Sequence, residues 1–347
     1  MMEQSQSSVS EKQIQQLLEQ YELGSELEIK HEESGLNNTT RFIYAGDRVY
    51  VLRVYENHRD ADKVMYEHAI MRTLADMDLP FHVPAIIPAA SGSTYACHSN
   101  GKLAVLFAKA EGRRPMAEQI DHAYLLGKAA GHLVEALAKV KPPVEASYLP
   151  YYEIYEVHHL MTRDQLFHIG DLTELKSFQQ ELETLLKAVI SFEKKAESLR
   201  HLPMQIVHSD LVFSNALIDG NQVTLLDFEF ATVELRAMEL AVTLSEFLQP
   251  DWRSTEIQDR MSAFLKGYIE ASMLSLKETE ALHDLVKLRL IVVFIHFMGR
   301  YLEGLDSLDQ LQKHIYKSAW GIRWLDHNQD LWQATVSLIT QREPKSD

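Results

Sequence analysis

The spacing of apolar and polar residues divides the chain into stretches of different period. Ile14, Leu17, Leu18 and Tyr21 recur at helical spacing behind Ser10 and Gln13, a pair suited to a capping box, and Gly24 is expected to end this helix. From Leu27 to Tyr55 the period shortens to that of strands. Arg41-Phe42-Ile43-Tyr44 and Val49-Tyr50-Val51-Leu52-Arg53-Val54 flank a Gly46-Asp47 turn and predict a hairpin. The small and polar run from Ser34 to Thr40 predicts a loop before it. Asp60 to Met77 returns to helical period, with Val64, Ile70, Met71 and Leu74 as its apolar stripe. Pro80, Pro84 and Pro88 break the chain after this helix, and Lys102 to Phe107 reads as another strand.

After Arg113 helical patterns dominate. Ala123 to Leu137, rich in Ala and Gly, predicts a helix suited to close packing, and Leu172 to Leu199 predicts a long helix with a polar face. Ile206 to Phe230 is a second island of strands and loop. From Glu234 onward helices run to the end. The most apolar stretch, Leu290 to Met298, is far shorter than the roughly 18–20 residues of a membrane span, so it predicts a buried helix and no membrane partner. The pattern therefore predicts an α+β protein in two lobes. A flexible tail over 1–10 precedes a small lobe of antiparallel strands and one main helix over 11–110, and a larger, mostly helical lobe covers 111–347.

Composition narrows the function. Hydrophobic residues make up 46% and charged residues 24%, a soluble globular balance. The 34 basic against 50 acidic side chains leave a net charge of −16, which argues against nucleic-acid or anionic-membrane partners. Cys97 is the single cysteine, so no intrachain disulfide forms, as expected in a reducing cytoplasm. Met1 to Ser10 lacks the charged and apolar regions of a secretory signal.

The chemistry is concentrated in Ile206-Val207-His208-Ser209-Asp210-Leu211-Val212-Phe213-Ser214-Asn215 and in Leu225-Leu226-Asp227-Phe228-Glu229, with an Asp219-Gly220-Asn221 turn between them. Folding the hairpin back brings Asp210, Asn215 and Asp227 together. Two carboxylates and an amide oxygen suit Mg²⁺, which takes hard oxygen ligands, and leave one carboxylate to accept a proton from a hydroxyl. The H-x-D-x-x-x-x-N spacing of His208, Asp210 and Asn215 resembles the catalytic loop of the protein-kinase-like superfamily. Val212 stands where protein kinases carry Lys, Phe228-Glu229 replaces Phe-Gly, and no A-P-E segment follows. Those details resemble the aminoglycoside phosphotransferase and choline kinase family.

The rest of the resemblance is carried residue by residue. Gly35-Leu36-Asn37-Asn38 resembles the G-x-x-N phosphate loop of homoserine-kinase-like members, which implies nucleotide contacts at Gly35 and Asn38. Val51-Leu52-Arg53-Val54 matches the strand whose cation, normally Lys, contacts the α- and β-phosphates, and Glu67 matches the helix carboxylate that pairs with it. Leu103 to Gly112 resembles the hinge, which implies adenine contacts along the backbone from Ala108 to Ala110. Glu239-Leu240-Ala241 stands where the family has Asp-Leu-Ala, so Glu239 is expected to support the catalytic loop, with His208 holding nearby backbone and Glu229 beside the metal ligands.

The resemblance implies a bilobal protein-kinase-like fold and an ATP- and Mg²⁺-dependent kinase, monomeric or homodimeric, that phosphorylates a hydroxyl of a small molecule. Asp210 is the expected base, with Asn215 and Asp227 as metal ligands. The absent lysine supports an alternative, a non-catalytic nucleotide-binding module. The acceptor stays open among amino alcohols, amino acids and aminated sugars. The acidic balance and Glu229 favour a cationic acceptor, while the Gly35 loop favours an amino acid.

Overall fold

The computed structural model describes residues 9–31, 38–56 and 58–340. Most of the tail expected over 1–10 lies outside the described residues, as does the Gly35 loop. Ser10 does cap helix α1 (Glu11–Leu18) in a capping box with Gln13. The helix ends at Leu18, before Gly24, which instead takes a φ of +87° in the connection to the first strand.

The N-terminal lobe is an antiparallel sheet built from β1 (Leu27–His31), β2 (Asn38–Ala45), β3 (Arg48–Tyr55), β5 (Ile86–Ile87), β6 (Ala96–Cys97) and β7 (Leu103–Ala108). Its order is β1-β2-β3-β7-β5, with β6 also on β7. The β2–β3 hairpin turns at Gly46, whose φ of +58° suits glycine. Strand β2 begins at Asn38, earlier than the predicted Arg41, because β3 runs on to Tyr55 and supplies partners as far as Asn38. Alternation sorts the side chains onto two faces. Leu52, Val54, Ala104 and Leu106 join Ile14, Leu17 and Leu18 of α1 in one core. On the other face, Tyr55, Val105 and Phe107 join Val64, Ile70 and Met71 of α2 (Ala61–Ala75), which Asp60 caps.

The second core continues through the helical lobe. Helix α3 (Ile120–Leu137) lies against α7 (Ser254–Tyr268) so closely that a Cβ on Gly127 would come within 1.9 Å of the Phe264 carbonyl oxygen. This is the close packing predicted from the small residues. Between them in sequence come α4 (Arg163–His168), α5 (Gln179–Leu199) and α6 (Arg236–Glu246). The predicted long helix starts late: residues from Thr173 to Phe178 form a 3-10 turn and the α-helix begins at Gln179. Helices α8 (Leu276–Leu302), α9 (Leu308–His327) and α10 (Gln329–Thr340) complete the lobe, with Leu290 to Met298 inside α8 as expected. Among the described residues no helix is long and apolar enough to cross a membrane.

The strand island is two small sheets. Strand β8 (Met204–Val207) pairs with β11 (Thr232–Leu235), and β9 (Ala216–Asp219) pairs with β10 (Gln222–Leu225). Strand β10 also pairs in parallel with β4 (Phe81–His82) of the first lobe, which ties the lobes together behind the cleft. At Gly112 the connecting chain passes the Ile218 carbonyl so closely that a Cβ would lie 2.8 Å from its oxygen.

Candidate active site

The loop from β8 to β9 and the end of β10 meet beneath the N-terminal sheet. Two non-glycine residues, Ser209 and Asp227, hold left-handed backbone at φ +67° and +61°, a costly conformation that requires surrounding support. Glu239, in the first turn of α6 and almost fully buried, accepts hydrogen bonds from the His208 amide at 2.6 Å and the Ser209 amide at 3.3 Å. Burial pushes its carboxyl pKa up, although those two amides and His208 oppose the shift. The His208 ring spans the site: Nε2 donates to the Leu226 carbonyl at 2.8 Å, and Nδ1 accepts from the Asp210 amide at 3.3 Å. A carbonyl can only accept, so these partners assign the proton to Nε2. Leu226 in turn donates its N–H to the Asn215 carbonyl at 2.9 Å, which brings Asn215 beside Asp227. The side-chain amide of Asn215 donates to both the carbonyl and Oδ2 of Asp210, each at 2.9 Å.

Arg53 comes down from β3 on the face shared with Val51 and Tyr55, toward α2. Its guanidinium forms an ion pair with Glu67, donates to Asp227 Oδ1 at 2.6 Å and lies over the rings of Tyr55 and Phe107. The Tyr55 hydroxyl donates to the second Glu67 oxygen at 2.6 Å. Burial would lower the arginine's pKa, but Glu67, Tyr55, Asp227 and Glu229 together hold it well above the usual value. Asn38, at the start of β2, donates to Glu229 Oε2 at 2.6 Å. Glu229 is thereby buried, with its carboxylate engaged by the N-terminal lobe. At the hinge the Ala108 amide donates to the Ala85 carbonyl at 2.8 Å, whereas the Ala110 amide has no partner among the described residues.

The profile of the phosphotransferase enzyme family matches residues 28–274. The chain belongs to that family. A homoserine kinase of Methylobacillus flagellatus is 26% identical over 265 residues, covering 76% of each chain. A homoserine kinase of Zymomonas mobilis subsp. mobilis is 28% identical over 285 residues, covering 79% of this chain and 82% of the relative. Among solved structures, the amicoumacin kinase hAmiN, in complex with AMP-PNP, Ca²⁺ and Ami, superposes with a TM-score of 0.70 at 14% identity, covering 92% of this chain and 94% of that one. A microcompartment-associated aminopropanol kinase superposes at 0.66 with 18% identity, covering 93% and 98%. The fold is therefore the bilobal protein-kinase-like fold, and the protein is a small-molecule kinase: an ATP-dependent phosphotransferase with a hydroxyl acceptor.

Sequence reasoning missed two side chains in this phosphotransferase. Arg289, on α8 just before the apolar run, donates to Asp210 Oδ1 at 2.6 Å and to the Tyr151 hydroxyl at 2.6 Å. Tyr151 donates onward to the Ser209 carbonyl at 2.6 Å. An arginine entering a buried helix was the available signal, but nothing local said which loop it would meet. The histidine pair His158 and His159 stacks and faces Glu303, while His168 bonds the Asp164 carbonyl elsewhere.

Proposed function

We propose that this phosphotransferase uses Mg²⁺ with ATP and acts on the hydroxyl of a small amino acid, with homoserine the first acceptor to test. Asp210 is the general base: its carboxylate takes the hydroxyl proton as the oxygen attacks the γ-phosphorus and the bond to ADP breaks. Asn215 and Asp227 hold the metal, which neutralises phosphate charge when bound. The donor chemistry fits that cation, because Asn215 uses the N–H groups of its side-chain amide on Asp210 and keeps the side-chain oxygen Oδ1 for a ligand next to the Asp227 carboxylate. Arg53, oriented by Glu67, contacts the α- and β-phosphates in place of the family's lysine. The Ala110 amide meets the adenine edge, with Asn38 and Glu229 bracing the lobes around the nucleotide.

The observation that carries this reading is the joint placement of Asp210, Asn215 and Asp227, with Arg53 reaching Asp227 from the other lobe. The named relatives support homoserine. The experiment is incubation with Mg-ATP and homoserine, following ADP release and the phosphate ester by ³¹P NMR. Wild type is expected to form the ester, chelation of Mg²⁺ to stop it, and Asp210→Asn to lower turnover by at least about 10²-fold. Undiminished turnover in Asp210→Asn rejects the base; undiminished turnover with EDTA rejects the metal.

A further inference from the structure

Both oxygens of the proposed base are occupied. Oδ2 accepts from Asn215, a neighbour in the same loop, and Oδ1 accepts from Arg289, which arrives on a different helix. Each oxygen keeps a further lone pair, so a reacting hydroxyl at about 2.6–3.2 Å shares its oxygen with Asn215 or with Arg289, and on Oδ1 it meets the guanidinium. The arginine is well enclosed, its side chain 14% exposed against 25% for Asp210. Its charge is permanent: burial acts to lower its pKa, but Tyr151, Asp210 and Glu246 more than reverse that. The acceptor end of the site therefore presents a fixed cation touching the base.

We propose that Arg289, oriented by Tyr151, is the anchor for a carboxylate on the acceptor, so that the substrates of this kinase are short hydroxy acids and the carboxylate draws the guanidinium off Asp210 as it binds. The proposal rests on Asp210 as the base of the function proposed above. An acceptor without an anion leaves Arg289 on Oδ1, where it competes with the hydroxyl. A cationic amino alcohol would in addition bring a second positive charge beside this enclosed guanidinium, a repulsion that a low-dielectric site strengthens. A carboxylate does the opposite: it matches the planar fork of the guanidinium and offers charge-assisted bonds equal to those it replaces. Release of Oδ1 is then coupled to the presence of the correct acceptor. Tyr151 keeps the fork in place, because its hydroxyl accepts from Arg289 while donating to the Ser209 carbonyl.

The test compares L-homoserine with two relatives that each lack one charge: 4-hydroxybutyrate keeps the carboxylate, and 3-aminopropan-1-ol keeps the amine. Each is assayed with Mg-ATP in wild type, Arg289→Lys and Arg289→Gln, and its binding to protein loaded with a non-hydrolysable ATP analogue is measured calorimetrically. Wild type is expected to favour both carboxylate acceptors over 3-aminopropan-1-ol by at least about tenfold in kcat/KM, a single charge-assisted contact being worth that much. Arg289→Gln should raise KM for the two carboxylates about 10–100-fold, leave KM for ATP unchanged and remove the preference over 3-aminopropan-1-ol; Arg289→Lys should fall between. A merely structural arginine would not move acceptor selectivity while sparing KM for ATP. Equal use of 3-aminopropan-1-ol by wild type, or unchanged KM for the carboxylates in Arg289→Gln, overturns the anchor and leaves the kinase reading standing. If wild type phosphorylates none of the three, the amino-acid reading of the function falls. Calorimetry then decides the anchor: homoserine and 4-hydroxybutyrate binding lost in Arg289→Gln supports it, and no binding or equal binding overturns it.

Discussion

Arg53 of the N-terminal lobe donates to the Asp227 carboxylate of the C-terminal lobe at 2.6 Å, while its other nitrogen pairs with Glu67. One guanidinium thus joins the helix carboxylate to the proposed metal ligand. Arg53→Lys should preserve the ion pair with Glu67 and keep ATP turnover within about tenfold. Arg53→Ala should raise KM for ATP, lower kcat and destabilise the fold by about 3 kcal/mol, because it strands the buried Glu67 carboxylate. Steady-state kinetics and thermal melts read both effects; unchanged kinetics in Arg53→Ala would remove Arg53 from the nucleotide site.

Asp227 carries the second prediction. Asp227→Ala removes the only carboxylate assigned to the metal and should abolish Mg²⁺-dependent binding of ATP in isothermal titration. Equal titration of Mg-ATP into variant and parent would make Asp227 a structural strand end.

Packing between α3 and α7 makes a prediction about stability alone. Gly127→Ala places a methyl 1.9 Å from the Phe264 carbonyl oxygen, and backbone on both sides leaves no rotamer to relieve it. The cost should be about 3 kcal/mol or more, a fall of several degrees in Tm. Gly220→Ala is the control: it has φ +58° but nothing within 4 Å, so only the left-handed backbone costs, about 1 kcal/mol. Equal melting of the two variants would show that the helices do not approach this closely.

Glu234 predicts a pH dependence. It is fully buried and accepts from the backbone amides of Tyr151 and Leu235, yet burial pushes its pKa up to about 7. A raised carboxyl pKa in the folded state means that its stabilising contribution is complete below the ordinary carboxylate value and is lost as pH rises through about 7. Between pH 5.5 and 8.5 wild type should lose about 2 kcal/mol that Glu234→Gln does not lose. Chemical denaturation at both pH values measures the difference, and parallel pH profiles would refute it.

Local pattern alone determined a good deal here. Alternation over Val49 to Val54 placed Arg53 on a defined face of a strand, and helical period over Asp60 to Met77 placed Glu67 on the helix after it. The spacing of His208, Asp210 and Asn215, followed by Asp227 after a short turn, was enough to recognise the family, because a hairpin brings sequence neighbours together without help from distant chain. Starts and stops were less legible. Gly24 marks the expected end of α1, but the helix closes at Leu18, and β2 gains its first residues only because Tyr55 and Val54 lie opposite them.

Only the tertiary structure decided which partners the charged side chains take. Asn38 and Glu229 are 191 residues apart and meet because the lobes close on each other. Arg289 reaches Asp210 across 79 residues through the packing of α8 beside the catalytic loop. No period or motif encodes such pairs, since the direction of a side chain from a buried helix depends on what packs around it. The contact to Asp210 was unreadable for the same reason: Arg289 is one of several charged residues along α8, and the sequence does not say which of them faces the loop.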